Sequence, residues 1–151
     1  MTTLPYWTSG NIAEIKISGA WSYAQVIKSP LMGFYALRPE KISSVSSLTG
    51  EDFQFEICVM RYALGKNGWP VIGRLNLTEK QKSGPWFFKK DTISKQFTRY
   101  HSITNEEITS NLEECIPLEC AAVWDPHHIE SRLADALAGV PNKSVESLRA
   151  K

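Results

Sequence analysis

Residues 119–139, ECAAVWDPHHIESRLADALAG, decide how this chain closes its fold. Residues 118–124 read as a buried strand that runs straight into a capped amphipathic helix. The carboxylate of Asp125 is placed to accept from the free amides of the first turn. Pro126 then takes the first helical position, where its missing N–H costs nothing. Trp124 and Ile129 have the spacing of a hydrophobic staple. Ile129, Leu133, Ala136 and Leu137 form one apolar stripe, and Gly139 suits the left-handed residue that ends a helix. The stretch predicts a helix that docks on a sheet and closes a core.

Just upstream, ITNEEITSNLEE (103–114) predicts a second helix. Thr104 and Glu107 have capping-box spacing, with Ile103 and Ile108 as the staple, and Pro117 ends the element. Toward the N-terminus the period changes from helical to alternating. Ala13, Ile15 and Ile17 face one way and Glu14 and Lys16 the other, which predicts a half-buried strand over 12–17. Ser18-Gly19 is a two-residue turn into a second strand, 20–27, with Ile17 opposite Ala20, Lys16 opposite Trp21 and Glu14 opposite Tyr23. Trp21 and Tyr23 then share the face opposite Ile15, where they are either covered by another layer or exposed for recognition.

Pro30 and Gly33 break the chain before a third strand at 34–38, and the Ser-rich run 39–52 reads as a long loop. Phe53, Phe55, Ile57 and Val59 alternate as one buried face of a strand. Asn67-Gly68 signals a hairpin turn into WPVIGRLNL, 69–77, where Gly73 marks a bulge or a close approach. A polar loop at 78–85, a short strand at 86–89, and a strand rather than a helix at 91–100 follow. The expected fold class is α+β, mostly β. It is an antiparallel coiled sheet or sandwich of about six to eight strands with two helices near the C-terminus. One globular domain is expected over 1–139, with a frayed tail at 140–151.

A chain of 151 residues can bury roughly 68–70% of its unfolded surface, enough to fold without metal or disulfide. Cys58, Cys115 and Cys120 are odd in number and lack CxxC spacing, so reduced thiols are expected. The opening MTTLPYWTSGN has no signal-peptide character, and no apolar run reaches membrane-spanning length, so the expected location is cytoplasmic. The net charge of +1 hides an asymmetry. Residues 101–140 hold eight acids and only Arg132 as a base, a net −7, against +6 over residues 1–100. An acidic segment on a near-neutral chain suggests a basic partner; a solvated acidic face is the alternative.

Three groups of residues invite a chemical reading. Adjacent His127 and His128 point about 100° apart on a helix and cannot chelate one ion as an i, i+4 pair would. No GxSxG, HExxH, Walker or GxGxxG pattern is present, so no catalytic residue, metal or cofactor is expected. Residues 80–100 interleave Lys80, Lys82, Lys89, Lys90, Lys95 and Arg99 with Trp86, Phe87, Phe88, Phe97 and Tyr100. That composition admits a small single-stranded nucleic-acid-binding module, or a core with a soluble strand edge. Finally, Glu106, Glu107, Glu113 and Glu114 on one helix, with Glu130 and Asp135 on the next, would share a surface if the helices lie side by side. Trp21, Tyr23 and Trp86 are candidate anchors beside it.

Three stretches, GNIAEIKISGAWSYAQVI, WPVIGRLNL and LECAAVWDPHHIESRLAD, together resemble the type-26 immunity-protein family of bacterial polymorphic-toxin and contact-dependent growth inhibition systems. The resemblance spans most of residues 10–138. It implies a small, cytosolic, largely β protein that binds a cognate toxin C-terminal domain one to one and blocks it without catalysis. Many such toxins are basic nucleases. The residues it shares, Trp69, Gly73, Trp124 and Asp125, are fold-supporting and carry no catalytic role.

Overall fold

The Ser18-Gly19 turn joins β1 (Asn11–Ile17) to β2 (Ala20–Lys28) at the centre of the larger sheet, in the register the spacing predicts. The structure, a computed structural model, describes residues 5–151. Met1 to Leu4, which begin both the N-terminal stretch and the expected 1–139 unit, lie outside the described residues.

On one side of this hairpin follow β3 (Leu31–Phe34), β4 (Phe55–Val59) and β10 (Val123–Trp124); on the other lies β5 (Val71–Arg74). A second sheet has the order β8-β7-β6-β9, from β6 (Trp86–Lys90), β7 (Phe97–His101), β8 (Glu107–Ser110) and β9 (Glu119–Cys120). The class is α+β, mostly β. Among the described residues there are ten strands, because short pieces such as β9 and β10 add to the expected number. Each sheet is antiparallel except for one parallel edge, β10 on β4 and β9 on β6.

The larger sheet buries both faces. On one face, Ile15, Val26, Phe34 and Ile57 meet Ile129 and Leu133 of α3 (Pro126–Ala138), together with Trp7, Trp69 and Trp124. On the other face, the 39–52 run lays Leu48, Val45 and Ile42 over Ile12, Tyr23 and Tyr35, and Ile27 and Leu31 meet Phe87 of the second sheet. The Ser-rich loop is therefore a lid on the core, folded into a short 3-10 turn at Val45–Leu48.

Several expectations change. The third strand starts three residues early. Gly33 lies inside it rather than breaking it, because a Cβ there would stand 2.3 Å from Phe53 Cδ2. Phe53 consequently packs on the face opposite Phe55, Ile57 and Val59. Asn67-Gly68 makes no hairpin. The β4 and β5 strands lie at opposite sides of the sheet, and the loop between them packs so closely that a Cβ on Gly68 would stand 2.1 Å from the Ala63 carbonyl oxygen. Gly73 fulfils both readings: the β1–β5 register shifts beside it, and Val45 Cγ1 would stand 2.9 Å from its Cβ.

The polar run 78–85 contains α1 (Glu79–Ser83), closed by a capping box between Thr78 and Gln81. The 91–100 segment is strand only from Phe97; Asp91 accepts from the amides of Ile93 and Ser94 in a turn that leaves Ile93 in solvent. The expected 103–114 helix is absent. Residues 103–106 form a turn, β8 follows, and only α2 (Leu112–Cys115), capped by Asn111, is helical. The tail does not fray entirely, since α4 (Lys143–Ser147) packs Val145 and Leu148 onto the core.

The stretch 119–139 closes the fold, though as a broken strand. Phe87 pairs with Glu119 in one sheet, and Val123 with Cys58 in the other, so the chain crosses between sheets at residues 121–122. The Asp125 carboxylate accepts from the His127 amide at 2.8 Å, and Gly139 takes φ 73°. The buried stripe of α3 ends at Leu133; Ala136 and Leu137 face solvent.

Candidate partner-binding surface

The acidic segment is shaped by the β7–β8 turn. His101 Nδ1 accepts from the amides of Ile103 and Thr104, both at 3.2 Å, and Tyr100 donates to Asn105 Oδ1 at 2.5 Å. Asn105 takes φ 63°, a left-handed conformation that asparagine tolerates. Thr104 Oγ1 accepts from the Glu106 amide at 3.3 Å, so the hydroxyl expected to cap a helix is spent on the turn. The β-branched pair Ile108 and Thr109 then lies opposite Arg99 and Thr98.

This rearrangement disperses the acids. Glu106 sits in the turn and Glu113 on α2, at opposite ends of β8. Glu107 pairs with Lys89 at 2.8 Å, and Glu114 accepts from Ser110 Oγ at 2.9 Å with Arg99 at 3.7 Å. On α3, Glu130 accepts from Trp69 Nε1 at 3.0 Å and Asp135 from Asn142 Nδ2 at 2.8 Å, so both hold the fold together. Among the described residues of the candidate acidic set, only Glu106 and Glu113 have side chains in no hydrogen bond or ion pair.

The aromatic candidates also separate. Tyr23 is fully buried; its hydroxyl donates to Glu14 Oε2 at 2.8 Å and accepts from the Ile42 amide at 3.1 Å. Burial pushes its phenol pKa up, and the 39–52 lid covers it. Trp21 is half-buried beneath that lid, with the ammonium groups of Lys16 and Lys41 at 5.6 and 5.4 Å from its ring. Trp86 is half-buried beside the acidic turn, edge-on to His101 at 4.8 Å and under Arg99 at 5.6 Å.

Much of the basic and aromatic run 80–100 is engaged within the fold. Phe87 and Phe88 are buried, Lys80 pairs with Asp52 at 3.2 Å, and Lys89 and Lys90 lie over Tyr100 and Phe97 at 5.0 and 5.3 Å. Single-strand binding needs open rings beside uncommitted cations. Here two rings are buried in the core, and Tyr100, Phe97 and Trp86 each have a basic group of the same run beside them. His127 and His128 are exposed on the first turn of α3, and among the described residues no three His, Cys, Asp or Glu side chains converge as a metal site.

What the sequence missed is a set of exposed apolar side chains in the same segment as the free carboxylates: Ile108, Leu112 and Ile116 are 37%, 39% and 55% exposed. Its signal was the β-branched Ile108-Thr109 pair, which favours strand over helix. A separate, largely apolar cleft of about 400 Å³ opens between the sheets, lined by Pro30, Leu31, Phe87, Tyr100 and Val123.

The family model for Immunity protein 26 matches residues 8–99, more than half of the chain. The chain belongs to the Immunity protein 26 family. No curated protein matches it, and no solved structure does. The Immunity protein 26 match includes the stretches GNIAEIKISGAWSYAQVI and WPVIGRLNL and stops within β7, before LECAAVWDPHHIESRLAD. It therefore covers the larger sheet except β10, while the free carboxylates and these exposed apolar side chains lie C-terminal to it. Among the described residues no helix of this Immunity protein 26 member is long and apolar enough to cross a membrane.

Proposed function

We propose that this protein neutralises a cognate toxin domain by binding it one to one in the cytoplasm and covering its active site, without catalysis of its own. Membership of an immunity-protein family carries this reading. The toxin class it favours is a basic nuclease delivered by contact-dependent growth inhibition, since Glu106 and Glu113 present uncommitted negative charge. Exposed carboxylates around apolar side chains steer a cationic partner and then exclude water from the contact. Trp86 supplies the neighbouring aromatic surface.

Co-expression with a toxin C-terminal domain, sought in the gene directly upstream, tests the function. Growth should be restored, the two proteins should co-purify, and nuclease activity of the toxin should disappear in the complex. A toxin domain that remains lethal and unbound overturns the reading. Glu106→Lys with Glu113→Lys should lower the association rate and its salt dependence with the fold unchanged. An association rate and salt dependence equal to those of the wild type would remove these carboxylates from the interface.

A further inference from the structure

The backbone of β8 is an unfinished ladder. His101 N–H donates to the Glu106 carbonyl at 2.9 Å, so residue 106 directs its backbone toward β7. Antiparallel strands alternate, so Ile108 and Ser110 also bond to β7, while Glu107 and Thr109 direct their N–H and C=O groups away from it. On the far side of β7 the same alternation holds, with Thr98 and Tyr100 turned toward β6. Among the described residues no strand pairs with the outer side of β8, which ends its sheet.

Natural edges are protected by very short strands, charged side chains, proline, a bulge or a covering element. The four-residue β8, Glu-Ile-Thr-Ser, is short and carries Glu107, but it holds neither proline nor lysine, and its pairing with β7 runs without a register shift. Ile108 exposes apolar surface along it, and the uncommitted carboxylates of Glu106 and Glu113 flank its two ends.

We propose that the cognate toxin docks by adding an extended, lysine- or arginine-bearing segment to the open edge of β8, bonding to the outward backbone groups of Glu107 and Thr109. The proposal rests on the toxin-binding reading above and specifies how the toxin is held. Main-chain bonds supply the affinity of such a strand addition, and the flanking side chains choose the partner. Glu106 and Glu113 select a cationic strand. They also disfavour a second copy of this chain, whose own β8 would bring like charges to the same edge.

Amide hydrogen exchange on the protein alone, and then on its complex with that toxin domain, is the direct test. The Glu107 and Thr109 amides should exchange at least tenfold more slowly in the complex. Thr109→Pro removes an outward N–H and no bond to β7, so it should retain the wild-type circular dichroism and melting profile and lose at least tenfold in toxin affinity. If the toxin binds while both amides exchange as in the free protein, strand addition is overturned and the toxin-binding reading survives. A folded Thr109→Pro with wild-type affinity has the same meaning. Protection that appears with rising concentration of this protein alone overturns the proposal in favour of self-association. A toxin domain that does not bind at all instead overturns the toxin-binding reading.

Discussion

Arg132 of α3 holds Glu119 of β9 through both terminal nitrogens, at 3.1 and 2.7 Å, while its guanidinium lies 3.7 Å from the centre of the Phe55 ring. One side chain thus ties the closing helix to the second sheet and caps a core ring of the first. The arginine side chain is only 13% exposed, so its loss would leave Glu119 half-buried without its cation. Arg132→Ala should destabilise by ~3 kcal/mol, the lower end for breaking a buried pair. Arg132→Lys should recover only part of that, because lysine offers neither the fork nor the flat stacking surface. Urea unfolding of the three proteins measures both differences.

Trp124 is buried where α3 begins, within the same core as Trp7 and Trp69. Trp124→Ala should cost ~3–5 kcal/mol, since it deletes a large ring from a packed site. A thermal melt that moves by less than a degree would show the ring to be dispensable.

The end of the buried stripe on α3 is testable with a pair of leucines. Leu133→Ala should cost ~2–5 kcal/mol, whereas Leu137→Ala, on the exposed turn, should stay within about 0.5 kcal/mol of wild type. Equal losses would mean that the last turn of α3 is covered in solution.

Gly33 faces the Phe53 ring too closely for any side chain. Gly33→Ala should cost ~1–3 kcal/mol by overpacking, and it should do so by displacing the 39–52 lid. Faster proteolysis within that segment, with the sheet's circular dichroism intact, is the expected signature.

The Tyr62 hydroxyl, first, and the His127 amide, second, hold the Asp125 carboxyl below the usual aspartate range. A depressed folded pKa contributes stability that is complete above the unfolded value, about 4, and is lost as pH falls through the folded one. The advantage of wild type over Tyr62→Phe should therefore be constant near neutrality and shrink below about pH 4. Melting temperatures of both proteins from pH 7 to pH 2 follow it.

Patterns closed within a few residues were legible in the sequence. The 12–27 hairpin register follows from alternation and a Gly turn, and the α3 caps from Asp125, Pro126 and Gly139. The 103–114 segment was not legible, because it satisfies two local patterns at once. Thr104 and Glu107 have helix-cap spacing, yet Asn105, His101 and Thr104 also close a hairpin turn. That turn gains pairing with β7, a contact no local window contains. The grouping of the acids on one helix changed with it, since the pairing of Glu107 to Lys89 and of Glu114 to Arg99 depends on β6 and β7 lying beside β8. Glu106 and Glu113 stay free because they sit just beyond the two ends of that ladder.

By itself the sequence determined the α+β class, the central hairpin, the capped closing helix and the likeness to an immunity family. The hairpin and the capped helix rest on spacing that a short segment enforces through its own backbone, the class on the sum of such segments, and the likeness on the three stretches that resemble the family. Only the tertiary structure decided which polar groups are already partnered: that Tyr23 lies under a lid, that Glu107, Glu114, Glu130 and Asp135 have partners within the chain, and that β8 ends its sheet. Whether a charge or an edge is free depends on which distant segments pack against it, and those contacts exist only once the chain has folded.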